Sequence, residues 1–551
     1  LAARMDDRFE LLVAGHRGGP SRQQTLRAMI DWSWEQLSEP EQFVLRRLSV
    51  HTDGFGPAAA ECICAIGELS RGRVLGLLAR LVDRSLVAAT DTDDGPRYRL
   101  LESVALYCSE RLSEAGEADL LHELHNEYYA TLAERARDRL RGTEQRPWLT
   151  VLDVEHANIR AAVEDSTRRG DRVIALRLVD AIALYWFLRG RIREGVRLLD
   201  TALATSRAAA PVLWARANGW RSALMLLGGG DVDRSGLVPA ALAGFDEVDD
   251  PAGRAFAEWL LAEVLLGGGD QAVSDALAQR ALAGFRAAGD HWGTAAALSS
   301  AAHHAMLRGD LPAMARDATE SARLFTSLGD RWGQLRTTEL LARRAEILGD
   351  YSEATRLRGE GLRRAQELGI WPRVADMLSG LGRLALLAGD LDQARRLHER
   401  ALELSVSQGH ELGRVFAEVG LGIGARREGR LDDAECHTRA SLDWNREVGY
   451  APGVAHSLAE LGFIAELRGD PEKARALHEE GIVVARGTGD PRAIALALEG
   501  LAGAAALAGD VEQARTLLAD ATAARDTAGA PLPERERADV DRIAAAIHAA
   551  E

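Results

Sequence analysis

The sequence predicts an all-α protein in which a winged helix with a small β-hairpin precedes an α-α superhelix of repeated helix pairs. A strict 40-residue period is the first observation, with Leu-small pairs at Leu261-Ala262, Leu341-Ala342, Leu381-Gly382, Leu421-Gly422, Leu461-Gly462 and Leu501-Ala502. Gly269, Gly349, Gly389, Gly429, Gly469 and Gly509 follow each Leu at one fixed distance, and Gly289, Gly329, Gly369, Gly409, Gly449, Gly489 and Gly529 fall midway between them. One unit departs, with Ala301-Ala302 in place of the Leu pair, yet its Gly309 is in register. Two stops per period divide each unit into two helices of similar length, and stacked helix pairs form a solenoid, an architecture whose usual work is binding. Helices followed by two short extended runs near the start supply the winged-helix order.

Taken in order, residues 1–20 read as the end of a preceding helical domain. They lack an initiator Met and break at Gly15, Gly18, Gly19 and Pro20. Residues 21–105 form the winged helix. Ser21 can cap a helix through Leu26, Met29, Ile30 and Trp34, and Ser38-Glu39-Pro40-Glu41 opens a second through Phe43, Leu45, Leu48 and Val50. A third runs from Arg73 to Ser85, and Leu86 to Ala89 pairs with Arg97 to Leu100 around Asp93-Asp94-Gly95-Pro96. A helical linker occupies 106–170, with amphipathic stretches from Leu120 to Arg137 and Trp148 to Arg168. Residues 171–250 hold the first, irregular repeats, and 251–551 hold the regular solenoid, in register by about Phe256.

The repeat explains itself residue by residue. Gly389 can adopt the left-handed conformation that ends one helix, Asp390 can cap the next, and Gln393 can complete a capping box; Asp350 with Glu353 and Asp510 with Gln513 repeat the device, while Gly429-Arg430 departs from it. Ala354, Ala394, Ala434, Ala474 and Ala514 are small where two helices should cross, and Gly382, Gly422 and Gly462 face them from the other helix. Such crossings wind into a superhelix with a concave face.

Composition limits the function. A formal net charge of −16 argues against coating nucleic acid over the whole surface. No apolar run is long enough to span a bilayer, and Arg4, Asp6, Asp7 and Arg8 interrupt any signal-peptide core. Cys62, Cys64, Cys108 and Cys436 have neither metal nor disulfide spacing, so they read as small buried apolar residues of a reducing cytoplasm. Lys473 is the sole lysine and sits in Pro471-Glu472-Lys473-Ala474, so the chain contains no Walker A loop.

Leu381-Gly382 with Ala394 and Ala401 resembles the tetratricopeptide pattern, here in a unit longer than the usual ~34 residues. A 40-residue variant is similar to the sensor solenoid of the bacterial maltose-regulon activator and related signal-transducing NTPases. Pro20-Ser21-Arg22-Gln23-Gln24-Thr25-Leu26-Arg27, Asp31-Trp32-Ser33-Trp34, Leu78-Ala79-Arg80-Leu81-Val82-Asp83-Arg84-Ser85-Leu86-Val87 and Glu155-His156-Ala157-Asn158-Ile159-Arg160-Ala161-Ala162 resemble actinobacterial regulators of the antibiotic-regulatory type. Those belong to the STAND/NB-ARC class of signal-transducing NTPases. The resemblance implies an order of effector domain, NTPase core, helical domain, winged helix and repeats. An ATP/ADP-binding core and a DNA-binding effector would then lie upstream of this chain, and none is expected after Glu551. Where that class carries Met-His-Asp, with the His touching ADP, this chain has Leu100-Leu101-Glu102. No cofactor is therefore expected within the chain itself.

Candidate chemistry is sparse. His122-Glu123-Leu124-His125 lacks zincin spacing and reads as a solvated helix face; His303-His304 diverge by about 100° on a helix and read as surface residues. No nucleophile stands beside a base in a recognisable motif, so no enzymatic activity is expected. Arg73, Arg80 and Arg84 fall on one side of the candidate recognition helix and could read DNA, but Asp91, Asp93 and Asp94 in the wing oppose phosphate. An intramolecular role for this module is the expectation. The concave face should be lined by Phe256, Trp259, His303, Met306, Arg336, Glu339, Arg343, Glu346, Arg383, Phe416, Arg426, His456, Phe463 and Glu466, a mixture suited to a peptide or protein segment. The reading is therefore a sensor arm of an ATP-switched, cytoplasmic transcription regulator. It would bind a protein, peptide or small effector, report to its own NTPase, reach DNA only through the effector domain, and oligomerise on ligand binding. A defence or signalling NTPase, or a free-standing interaction scaffold, remains open.

Overall fold

The computed structural model describes residues 22–67, 69–92, 95–204, 207–228, 234–266 and 270–550. The expectations for residues 1–20, for Ser21 as a cap, for the hairpin tip at Asp93-Asp94 and for Gly269 lie outside these. The described chain is helical apart from one two-stranded antiparallel sheet. It divides into two units. One holds the described residues up to Ala133 with Asp153–Leu178, the other Glu134–Leu152 with Val179 onwards.

The first unit is the winged helix. Helices α1 (Arg22–Glu35), α2 (Glu39–Arg47), α3 (Pro57–Cys64) and α4 (Arg71–Asp83) precede strands β1 (Val87–Thr92) and β2 (Gly95–Leu100). Helix α2 starts on a complete capping box, in which Ser38 N–H donates to Glu41 Oε2 at 2.8 Å. The hairpin register pairs Val87 with Leu100 and Thr92 with Gly95, and Phe55 bridges Tyr98 as a third, single-residue partner. Val44, Leu48, Phe55, Val74, Leu78, Leu81, Tyr107 and Cys108 form its core. Helix α5 (Glu102–Glu114) follows, then the long helices α6 (Ala118–Arg139), α7 (Gln145–Arg169) and α8 (Arg172–Arg189), which run across the division.

The second unit continues with α9 (Ile192–Leu203), α10 (Pro211–Gly228) and α11 (Arg234–Ala243), then enters the regular array. Its helix pairs are α12 (Pro251–Leu265) with α13 (Gln271–Ala288), α14 (His291–Leu307) with α15 (Leu311–Leu328), and α16 (Arg331–Ile347) with α17 (Tyr351–Leu368). Next come α18 (Trp371–Ala388) with α19 (Leu391–Gln408), α20 (Glu411–Arg427) with α21 (Leu431–Glu447), α22 (Ala451–Leu467) with α23 (Pro471–Thr488), and α24 (Pro491–Leu507) with α25 (Val511–Thr527). A final helix, α26 (Ala538–Ala549), is set off by a short 3-10 turn.

Each glycine stop is physically required. The described members of both columns have φ between 60° and 86°, where a Cβ would be strained. Asp390 Oδ1 accepts from the Gln393 amide at 3.0 Å, and Asp350 and Asp510 cap in the same way. The return half of the box is spent elsewhere in one unit, since Glu353 pairs with Arg356. Arg430 caps nothing, as its side chain requires. The small column is buried throughout, from Ala354 to Ala514.

Three readings need correction. His125 is buried, not solvated, because α7 and the residues before the wing close over it; its ring packs on His51 and Tyr129. His304 is also buried, held by a 3.0 Å hydrogen bond to Ser274 between the first two helix pairs of the array. Cys436 is exposed and Cys62 only half-buried, since each lies on the solvent side of its helix, α21 and α3.

Candidate functional site

Successive first helices of the repeats, α12 to α24, face a common lumen of about 1690 Å³. That exceeds the roughly 300–1,000 Å³ of ordinary small-molecule pockets. His303, Met306, Arg336, Glu339, Arg343, Glu346, Arg383, Phe416, Arg426, His456 and Phe463 all border it. The 40-residue register puts them there, because equivalent positions of neighbouring units point to one side.

Phe256, Trp259 and Glu466 do not border it. Trp259 is fully buried among Phe256, Trp292 and Trp332, with ring centroids 5.2 Å to 6.1 Å apart. The loop between α6 and α7 covers this cluster, laying the Arg141 guanidinium 4.6 Å over both Phe256 and Trp292. The same loop is locked by Gln145, whose Oε1 accepts from the Trp332 amide at 2.9 Å and whose Nε2 faces Asp330 at 3.3 Å. Composition had shown the aromatic residues but not the distant loop that covers them.

Charges in the lumen are arranged as a ladder between units. Glu346 of α16 receives Arg383 of α18, with Arg343 at 3.4 Å and Arg358 at 3.7 Å. Burial pushes its carboxyl up, but Arg343, Arg383 and Arg358 outweigh burial and hold it at about 2. One unit further, Arg426 Nε reaches Glu460 at 2.9 Å, and its guanidinium lies 5.2 Å over Phe463. At the other end Arg336 joins Glu263 and donates to Ser299 at 3.0 Å. Arg373 holds Asp376 at 3.0 Å, which His410 also meets at 2.9 Å. His303 sits beside this ladder with its pKa lowered to about 3, chiefly by burial, so its imidazole is neutral. The result is a set of guanidinium groups held in fixed geometry beside Phe416 and His456. It suits recognition of anionic and aromatic groups.

The lumen is closed where Arg492 Nη2 donates to Met306 O at 2.7 Å, joining α24 to α14. Sequence reasoning missed Glu263, Asp376, Glu460 and Arg492. Their lumen role comes from partners elsewhere in the array, although Glu263 and Asp376 follow the same columns.

In the first unit Arg73, Arg80 and Arg84 are all exposed, the first two on α4 and the third at its C-terminal cap. The wing, by contrast, is tied down. Arg97 of β2 meets Glu155 at 2.6 Å, and Tyr129 donates to the same carboxylate at 3.2 Å. Asn158 Nδ2 donates to Gly54 O at 2.7 Å while its Oδ1 accepts from the Thr52 amide. The Glu155-His156-Ala157-Asn158 motif thus works as the fastening of the wing to α7. Among the described residues no group of three or more His, Cys, Asp or Glu side chains is placed to hold a metal, and no helix is long and apolar enough to cross a membrane.

A model of the winged helix-turn-helix domain family matches residues 37–113. Over 207 residues, 38% of this chain, the sequence is 41% identical to a Mycobacterium tuberculosis protein named as an HTH-type transcriptional regulator, and that stretch is 23% of its length. A second Mycobacterium tuberculosis protein, named only as uncharacterized, is 43% identical over 121 residues, 22% of this chain and 30% of its own. The match therefore spans less than a third of either relative. Among solved structures, a Rap protein complexed with Competence and Sporulation Factor aligns over 64% of this chain and 98% of its own, at 10% identity and a TM-score of 0.50. A Signal Transduction ATPase with Numerous Domains from Pyrococcus horikoshii, with a tetratricopeptide repeat sensor, aligns over 93% of this chain and 66% of its own, at 12% identity and a TM-score of 0.34. The chain is a winged helix followed by a tetratricopeptide-like solenoid, with homology to HTH-type regulators over 207 residues.

Proposed function

We propose that this chain is the sensor and regulatory arm of an ATP-switched transcription regulator, and that it binds a protein, peptide or small effector in the lumen of its solenoid. The observation that carries the reading is the guanidinium ladder from Arg336 to Arg426, held by buried carboxylates and bordered by Phe416 and His456. Fixed charges around a large lumen recognise a partner without paying much ordering cost. The precedent of the Rap protein, solved with Competence and Sporulation Factor inside the same fold class, supports a signalling partner.

The mechanism is a population shift. The occupied arm favours an open NTPase, and the empty arm favours its closed, ADP-bound form. ATP and ADP act in a domain upstream of this chain, DNA is reached through a separate effector domain, and the open form assembles into a ligand-induced oligomer. The winged helix transmits the change, since its wing is fastened internally through Arg97 and Glu155. Deleting residues 251–551 from the whole regulator abolishes its response to inducer; a truncated regulator that still responds normally refutes the assignment.

Direct DNA binding by α4 is the second reading, favoured by the exposure of Arg73, Arg80 and Arg84. Gel shifts with the purified chain separate the two. Salt-sensitive binding that is lost in Arg73→Ala/Arg80→Ala would establish it.

A further inference from the structure

After α25 the chain does not add another repeat. Gly529, at φ 60°, turns it back, and the stretch Pro533–Arg542 lies along the lumen in contact with four successive units. Every third residue meets the next one: Pro533 packs at Gly349, Glu536 Oε2 meets Arg383 at 3.2 Å, Asp539 takes Arg426 bidentately at 2.9 Å and 3.0 Å, and Arg542 meets Glu466 at 2.9 Å. Tyr351 also donates to Glu536 at 3.2 Å.

The two sides of this contact differ in how firmly they are held. Arg426 is 7% exposed, backed by Glu460 and Phe463, and Arg383 is fixed by Glu346. The strap is polar. Glu534, Arg535, Arg537 and Ala538 are exposed, and its buried apolar anchors, Ile543 and Ile547, come only later in α26. The acidic side is held by its ion pairs and the Tyr351 hydrogen bond rather than by buried apolar side chains, and such segments open locally more readily than a packed core. The subsite is therefore rigid while its occupant is replaceable.

Building on the sensor reading above, we propose that Arg383 and Arg426 form the anchor subsite for an acidic peptide segment with carboxylates three residues apart. Pro533–Arg542 is its tethered internal occupant, which the incoming segment displaces. The bidentate fork at Arg426 sets the specificity, because a carboxylate matches it in plane and charge.

The test uses the 551-residue chain and a fluorescein-labelled peptide copying residues 531–540, with binding read by anisotropy. Glu536→Gln/Asp539→Asn should bind the peptide at least ten-fold more tightly than the parent chain, with unchanged helicity by circular dichroism. Glu534→Gln, altered at an exposed strap residue outside the contact, should bind like the parent. A peptide carrying Gln and Asn at the two carboxylate positions should bind neither. Equal affinity of the parent and the double variant, or equal binding of the uncharged peptide, overturns the proposal. Complete competition by free acetate at matched carboxylate concentration also overturns it, by showing a site for single carboxylates rather than a peptide. None of these failures touches the sensor reading, which rests on the deletion of residues 251–551.

Discussion

Gly420→Ala is the most informative single perturbation of the solenoid. Gly420 lies in the interior of α20, where a glycine-to-alanine change ordinarily strengthens a helix by about 1 kcal/mol. Here the new Cβ would stand 2.1 Å from His398 Cε1, 2.2 Å from Nε2 and 2.4 Å from Nδ1. The imidazole would have to retreat by more than about 1 Å to reach ordinary contact near 3.4–4 Å. It cannot retreat. His398 is 2% exposed, and on its far side a Cβ at Gly382 would already be 2.6 Å from Nε2, so the ring is clamped between two glycines of adjacent first helices. Overpacking of this kind costs about 1–3 kcal/mol, which set against the helix gain leaves a net loss of up to about 2 kcal/mol.

Because solenoid stability is a sum over units and their interfaces, the loss should concentrate at α18 to α20. Urea unfolding followed by circular dichroism should show a lower midpoint, and hydrogen exchange should rise in those helices first. Adding His398→Ala should remove the penalty, giving a coupling energy of about 1 kcal/mol or more in the double-mutant cycle. Gly424→Ala, whose Cβ would meet only Leu386 at 3.5 Å, is the control and should be neutral or stabilising. If Gly420→Ala stabilises the chain equally with and without His398, the clamp does not exist.

Other outcomes follow from the same structure. Asp330→Asn should cost about 1–3 kcal/mol, because the carboxylate accepts from Trp292 Nε1 at 2.9 Å and from the Gly333 amide, and an amide NH₂ would face a donor; a thermal melt checks it. Burial lowers the His398 and His125 pKa values to about 4, so between pH 6.5 and 4 the unfolded chain binds more protons than the folded one. Stability is then fully present above pH 6.5 and falls toward pH 4, by up to about 3 kcal/mol for His398. Urea midpoints against pH should show this, with a shallower slope in His398→Leu. Glu155→Gln should free the wing from Arg97 and Tyr129, raising hydrogen exchange in β1 and β2 while leaving α12 to α25 unchanged.

The sequence by itself determined the helix pairs, because a left-handed glycine and an aspartate cap are local devices that recur every 40 residues and need no distant partner. A fixed register also repeats one direction, so most members of the expected columns border the lumen, although Phe256, Trp259 and Glu466 do not. What only the tertiary structure decided lies between residues far apart in the chain. Trp259 and Phe256 were legible as aromatic members of a first helix, but the Arg141 loop that covers them arrives from another part of the sequence. The burial of His125 and His304 depends likewise on the helices that pack over them. The strap along Arg383 and Arg426 falls within residues 251–551, which the sequence presents as regular solenoid throughout. Its carboxylates reach the lumen because the superhelix brings units remote in sequence within reach of one short segment.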